Sequence, residues 1–394
     1  MKPMKKILGL LLALCLIAGC TSAFAAGIPV EQVKIGYITI GDENEGYSAN
    51  HLNGLKEAQA ALGISDDQVL CKYNVPETED AYEAAIDLAE QGCNIIFATS
   101  FGHESYVFQA AAEYPNIQFC HATGNSAMNS ELTNVHNYFY AVYESRYVSG
   151  VVAGMKLAQM IEDGTITAEN AKIGYVGAFP FAEVISGFTS FFLGARSQCP
   201  SVTMEVRYTN SWGDMALEKE TAEALIADGC VLISQHADTT GAPSACEAAG
   251  VPCVGYNISM LPVAPNTALT SAAGDWGAYV TYAVKCLIDG EEIARDWCKG
   301  YAEGAVYTTE LNDSIVAPGT AEKVAELEAG FKAGTVKVFD TSAFTVNGET
   351  LTTCTDCYGL EGMEMVSDGE FHESAVRSAP YFAIIIDGIT AVVE

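Results

Sequence analysis

The sequence predicts an α/β fold of two lobes, each a parallel sheet flanked by helices, with a hinge between them. Three observations support this. From residue 33 onward, short apolar runs alternate with Ala-, Glu- and Leu-rich stretches at helical spacing. That alternation restarts near residue 143, and a chain of 394 residues exceeds what one hydrophobic core usually supports.

In chain order, 33–40 reads as a buried strand, 48–62 as a helix capped by Ser48, and 78–91 as a second helix. A strand at 94–98, a helix at 104–114 and a strand at 117–121 complete the first round. The second round has helices at 143–160, 183–198, 214–228 and 242–249, interleaved with strands at 172–177, 203–209, 231–235 and 253–256. The strand at 268–272 and the helix at 276–289 are expected to return to the first lobe, leaving the tail for the second. Hinge crossings then fall near Tyr140, Ser271 and Gly300. The resulting division is 33–140 plus 272–300 for one lobe and 141–271 plus 301–394 for the other, after a leader at 1–19 and a linker at 20–32.

The leader has a basic start at Lys2, Lys5 and Lys6, then an uncharged apolar run over 7–18, too short to span a bilayer. Ile17-Ala18-Gly19-Cys20 is the pattern a lipoprotein peptidase reads, with Cys20 the acylated first residue of a membrane-anchored chain. Ala23-Phe24-Ala25 offers ordinary signal peptidase a competing site. The expectation favours the anchor, because small residues sit directly against Cys20.

Nineteen basic against 50 acidic residues, a net charge of −31, argue against a nucleic-acid partner and describe a self-repelling, soluble surface. Of the 13 cysteines, Cys93, Cys120, Cys230 and Cys253 sit in or beside apolar runs, where a thiol behaves as a small buried hydrophobe. Cys354-x-x-Cys357 is the close pair, but no second pair or nearby histidines complete a metal site, so no metal or other cofactor is expected.

Loops at the carboxyl ends of parallel strands line the natural ligand crevice, and two such edges facing across a hinge make a cleft that closes on a small molecule. The candidates at those strand ends are Asn44, Tyr47, Ser100, Phe101, Phe179, Trp212, Asp238, Asn257, Asp275 and Trp276. Aromatics with neutral hydrogen-bonding groups suit a planar, nitrogen-containing, uncharged ligand better than a phosphate, which calls for cations or a cradling loop. Each has a plainer reading as well. Tyr47 and Trp212 can be lobe packing, and Asp238 can cap the next helix. His121 and His236 read as structural histidines, and Glu144 and Arg146 as lobe contacts or a first-turn charge interaction. Gly-x-Ser-x-Gly, a Walker loop and paired zinc-binding histidines are all missing from the sequence, so an enzyme is not expected.

The stretches FATSFG, FCHATG, FYAVYESRYVSGVVAGM, IGYVGAFPFAEVISGFTSFFLGAR, YTNSW, ISQHAD and LTSAAGDWGAYV resemble, in order and spacing, the basic membrane lipoprotein family of ABC-importer binding proteins. The resemblance covers 33–290; the tail is looser, with VNGE at 346–349 and the close around 368–376 similar to the family's ending. It implies a type I periplasmic-binding-protein fold acting as a monomer that holds a purine base or nucleoside and delivers it to ABC permease subunits. It further implies a base sandwiched by Tyr47 and Trp212 with Phe179 as a wall, and polar contacts from Asp238, Asn257 and Asp275. Tyr47 stands where the subgroup usually has tryptophan, Asn257 where it has an acid, and Gly274-Asp275-Trp276 where it has a lysine. These departures favour a free base over a nucleoside. A receptor presenting the same cleft to a membrane signalling partner is the alternative reading.

Overall fold

The computed structural model describes residues 27–392, so the leader, Cys20 and the competing site at Ala25 lie outside the described residues. Strand β1 (Ile35–Ile38) is buried along its whole length, as a parallel strand covered on both faces must be. Helix α1 (Gly46–Leu62) follows, then β2 (Val69–Lys72), α2 (Glu79–Glu90), β3 (Ile95–Ala98), α3 (Glu104–Glu113), β4 (Gln118–Ala122) and β5 (Val135–Tyr140). The chain then enters α4 (Val142–Glu162) and a second round: β6 (Lys172–Gly177), α5 (Ala182–Gln198), β7 (Thr203–Tyr208), α6 (Met215–Ala227), β8 (Leu232–His236), α7 (Gly241–Ala249), β9 (Cys253–Tyr256) and β10 (Ala268–Gly274). Helix α8 (Trp276–Asp289), β11 (Asp296–Lys299), β12 (Val306–Thr308), α9 (Thr320–Lys332), the short β13 (Val366–Ser367) and β14 (Glu370–Phe371), and β15 (Ile389–Val392) complete it.

The first sheet has the order β11-β5-β4-β3-β1-β2 and the second β12-β10-β9-β8-β6-β7-β15. Every pair in the first sheet is parallel, and in the second only β12 runs against its neighbour β10. Both sheets therefore contain the doubly wound 2-1-3-4-5 arrangement, whose crevice opens where the winding reverses, between β1 and β3 and between β6 and β8.

Three expectations are corrected. The strand expected at 268–272 to return to the first lobe stays in the second sheet, paired with β9, so the crossing falls after Gly274 rather than near Ser271. Hydrogen-bond partners on both sides, β9 and β12, hold that strand, and a reading by alternation does not see them. Ser48 does not cap α1. Glu45 reaches the free N–H groups of Tyr47 and Ser48, while Ser48 Oγ accepts from Gly41 N at 3.0 Å and ties down the preceding loop. The four-residue β2 and the polar-interrupted β5 went unforeseen, as did β11 to β15 and α9 in the last third of the chain. In β5, His136 Nδ1 lies 3.1 Å from the Ala294 carbonyl and Asn137 Oδ1 accepts from Ala127 N at 2.8 Å, so distant partners satisfy what the local pattern leaves polar.

The core of the second lobe depends on a close helix pair. A Cβ at Gly150 of α4 would lie 2.0 Å from the Phe191 carbonyl oxygen of α5, and one at Gly194 would lie 2.1 Å from the Tyr147 carbonyl oxygen. The obstacles are backbone atoms, which no rotamer change relieves. Alanine gains about 1 kcal/mol in helix propensity over glycine, but separating these helices opens the packing beneath them. Gly150→Ala is expected to cost a net ~1–3 kcal/mol, typical of overpacking, in urea unfolding; unchanged or raised stability would show that the helices are not held this closely.

Candidate functional site

The carboxyl edges of the two sheets face one another, and the cleft between them encloses about 320 Å³ of atom-free space, part of it open to solvent. The lobes touch across it: Gly46 N donates to the Asp238 carbonyl at 2.8 Å, and the rings of Phe101 and Phe181 lie 5.4 Å apart. A Cβ at position 46 would stand 2.9 Å from that carbonyl, so glycine is what permits the approach.

The first-lobe wall comes from the ends of β1, β3 and β4. Tyr47, in the first turn of α1, donates from its hydroxyl to the Thr99 carbonyl at 2.6 Å. Behind it, Trp276 stacks on His51 at 3.9 Å and meets the Tyr47 ring edge-on at 5.9 Å, so one face of the tyrosine is braced. Ser100 and Phe101 follow β3, and Thr123 follows β4. Thr123 is held at φ 66°, a conformation a β-branched residue rarely adopts and one that marks strain at functional positions. Thr99 Oγ1 and Thr123 Oγ1 are buried without a protein partner.

The second-lobe wall carries Glu183, Trp212, His236, Asp238 and Tyr256. Trp212 leans edge-on against Phe179 at 5.1 Å, and Phe179 stacks on Phe181 at the same separation. Asn257 Nδ2 donates to Asp238 Oδ1 at 3.0 Å, and His236 Nε2 lies 3.3 Å from Glu183 Oε1. Arg146 is fully buried beneath the wall. Its guanidinium sits 3.6 Å over the Tyr256 ring and its Nη1 donates to the Gln235 carbonyl at 2.7 Å.

Desolvation dominates the electrostatics. Burial pushes the Glu183 carboxyl up to about 7, against a smaller opposing pull from Arg146. Asp238 is held well above the usual carboxylate range by burial first, then by the negative charges of Glu45, Glu218 and Glu183. Burial also takes the His236 imidazole well below its ordinary range, and Arg146 adds to that effect. Glu218, whose two oxygens accept from Thr239 N at 3.2 Å, is pushed up to about 7 by burial. The wall thus offers carboxyl groups, hydroxyls and a neutral imidazole, and no Lys or Arg lines the cleft among the described residues.

The sequence matches the family described as ABC transporter substrate-binding protein, PnrA-like, over residues 38–337. The chain belongs to that family. It is 33% identical over 311 residues to a purine-binding protein of Brucella abortus, an alignment covering 78% of this chain and 83% of that one. It is 30% identical over 316 residues to a putative ABC transporter glucose-binding protein of Haloferax volcanii, covering 80% and 76% respectively. A solved ABC-transporter solute-binding protein of Aeropyrum pernix superimposes with a TM-score of 0.65 at 18% identity, covering 78% of this chain and 93% of that chain, which establishes the two-lobed periplasmic-binding-protein fold. As a member of the family, this chain is an extracytoplasmic solute-binding component and not an enzyme. No helix among its described residues is long and apolar enough to cross a membrane.

Of the candidates from sequence, this binding protein brings Tyr47, Ser100, Phe101, Trp212 and Asp238 together on the cleft walls. Five others stand elsewhere. Asn44 is exposed and bonded to Asp42 in its own loop, because the turn carries it away from the opening. Phe179 supports Trp212 from behind. Trp276 is core, 1% exposed. Asp275 caps α8 through Ala278 N at 3.3 Å and faces a separate surface groove. Asn257, at φ 67°, is fully buried behind Asp238, positioning that carboxyl. Asp238 itself does not cap α7, whose cap position is Thr240. Sequence reasoning passed over Glu183 and treated His236 as purely structural. Following the chain three residues past the 177–180 loop would have reached Glu183, but only the folded lobes show that both face the ligand space. Glu144 accepts from Tyr301 N at 2.7 Å, joining the first turn of α4 to the third crossing.

These shifts predict a pH dependence. Glu144, Glu183 and Glu218 each rise from 4.5 to about 7 on folding, so the unfolded chain gives up those protons first. Their contribution to stability is fully present below 4.5 and is lost as the pH climbs through about 7. The melting temperature of the ligand-free protein is expected to fall across that interval, with a shallower slope in Glu183→Gln. A melting temperature that climbs over the interval, or a Glu183→Gln slope identical to the parent's, would contradict the assignment.

Proposed function

We propose that the cleft binds a purine nucleobase and that the protein delivers it to the permease of an ABC importer. The observation that carries this reading is the placement of Tyr47 and Trp212, from opposite lobes, on one small cleft whose polar lining is uncharged donors and acceptors plus carboxyls. Flat aromatic walls suit a heterocycle, and carboxyls accept from ring and exocyclic N–H groups. A phosphate would meet Glu183 and Asp238 with no facing cation to offset them. The purine-binding relative from Brucella supports the same ligand class, while the glucose-binding relative from Haloferax makes a sugar the competing outcome.

Titration calorimetry with adenine, guanine, hypoxanthine, their nucleosides and glucose tests the reading. Bases are expected to bind more tightly than nucleosides. Tyr47→Ala and Trp212→Ala are each expected to weaken base binding by about tenfold or more, from ~1–3 kcal/mol per stacked base. Glucose binding without any purine binding would overturn the proposal, and parental affinity in both variants would remove the stacking role.

The same reading has the mature chain act as a monomer held at the cell membrane by acylated Cys20, with cleavage near Ala25 as the competing route. Cys20→Ala is expected to move the protein from the membrane fraction to the medium or soluble fraction. Unchanged fractionation would exclude the anchor.

A further inference from the structure

The tail after residue 337 lies beyond the family match, yet it is built into the mouth of the cleft. Segment 373–382 is fastened to both lobes. Ser378 donates from N and Oγ to the Asp296 carboxyl of β11 at 2.6 and 2.7 Å, and the buried Glu373 accepts from Ser186 Oγ of α5 at 2.7 Å. Tyr358, Arg377 and Pro380 line a second cavity with about 310 Å³ of atom-free space, part of it open to solvent, whose other walls include Phe101, Thr123 and Glu183. Those last three also line the ligand cleft, so the tail cavity is an antechamber sharing its wall. Arg377 Nη2 donates to the Tyr358 carbonyl at 2.6 Å, which makes Tyr358 the point where the loop before it meets the strap.

Immediately before Tyr358 stands the Cys354-x-x-Cys357 pair, whose Sγ atoms lie 2.7 Å apart, closer than two unbonded thiols comfortably approach. Cys357 is 4% exposed, whereas Cys354 is half-buried and within reach of an external reagent. The Cys354 N–H donates to Glu364 Oε1 at 2.8 Å and its carbonyl accepts from Met365 N at 2.9 Å, so the backbone around the pair is already folded into a closed loop. An extracytoplasmic setting is one in which disulfides form and persist.

We propose that Cys354 and Cys357 are a modification site, oxidised to an intramolecular disulfide that stiffens the Tyr358–Arg377 strap and slows passage of ligand through the antechamber. The oxidant is an oxidised dithiol protein of the exported compartment. Cys354, as thiolate, attacks its disulfide to give a mixed disulfide. Cys357, losing its proton, then displaces the second sulfur, leaving Cys354–Cys357 bonded and the oxidant reduced to its dithiol. Two protons and two electrons leave the pair, and both electrons reside on the oxidant. The gating half of the proposal rests on the interlobe cleft being the ligand site.

The full-length exported protein, alkylated under denaturing conditions without reductant, decides the first half by peptide mass mapping. The expected result is an unlabelled 354–357 peptide lighter by two hydrogens; alkylation of both cysteines would overturn it. Hydrogen exchange with and without mild reductant decides the mechanical half without any ligand. Reduction is expected to speed exchange severalfold in 357–382, the Cys354→Ser/Cys357→Ser double variant should show the fast pattern in both conditions, and equal exchange in both redox states overturns the strap's dependence on the bond. Adenine is the probe for gating, followed by tryptophan fluorescence in stopped flow. Faster dissociation from the reduced protein is expected, and equal rates overturn gating. Failure of adenine to bind either form counts against the purine reading, while mapping and exchange still decide the disulfide and its strap.

Discussion

Strand direction is the constraint on which the site depends. All pairs in the first sheet and all but β12–β10 in the second are parallel, so the parallel strands end at the same edge and the loops that follow them gather there. Three crossings, after Tyr140, Gly274 and Lys299, turn those edges toward each other. Tyr47, Phe101 and Thr123 then face Glu183, Trp212 and Asp238 although they are distant in sequence. Glycine supplies the close contacts this requires: Gly150 and Gly194 let α4 and α5 pack backbone to backbone, and Gly46 lets the first lobe meet the Asp238 carbonyl.

Facing edges also concentrate polar groups where water is scarce. Asp238 feels the charges of Glu45, Glu218 and Glu183, while Arg146, the buried cation nearby, is turned toward the Tyr256 ring. Burial opposes ionisation of the carboxyls and of His236 alike, which moves them toward neutral forms in opposite directions on the pH scale. A neutral carboxyl both donates and accepts, so such a wall can match either polarity on a ligand edge. Asn257 takes part indirectly, by fixing the carboxyl of Asp238.

Helix α9, β15 and the irregular tail are more than an appendage. Strand β15 extends the second sheet beside β7, and Phe339, Phe371 and Phe382 form an aromatic cluster that gives the segment its own packing. Rooted in this way, residues 373–382 reach Asp296 on one lobe and Ser186 on the other. A tie to both lobes opposes their separation, so the geometry of the tail and the opening of the cleft are mechanically linked.

The sequence by itself determined the fold class, every long helix but α9, about half of the strands, and half of the cleft-facing candidates, because apolar periodicity and strand-end position are local properties of the chain. Tyr47, Ser100, Phe101, Trp212 and Asp238 line the cleft for that reason. What it left undecided depends on partners far along the chain. Strand β5 is completed by contacts to Ala294 and Ala127, and β10 belongs to the sheet that supplies its neighbours. Side-chain direction was the other gap. Trp276 and Phe179 turn inward to brace Tyr47 and Trp212, Asn257 turns to hold Asp238, and Glu183 turns outward into the cleft. A residue at a strand end can point either way, and only the packing of the two lobes selects which.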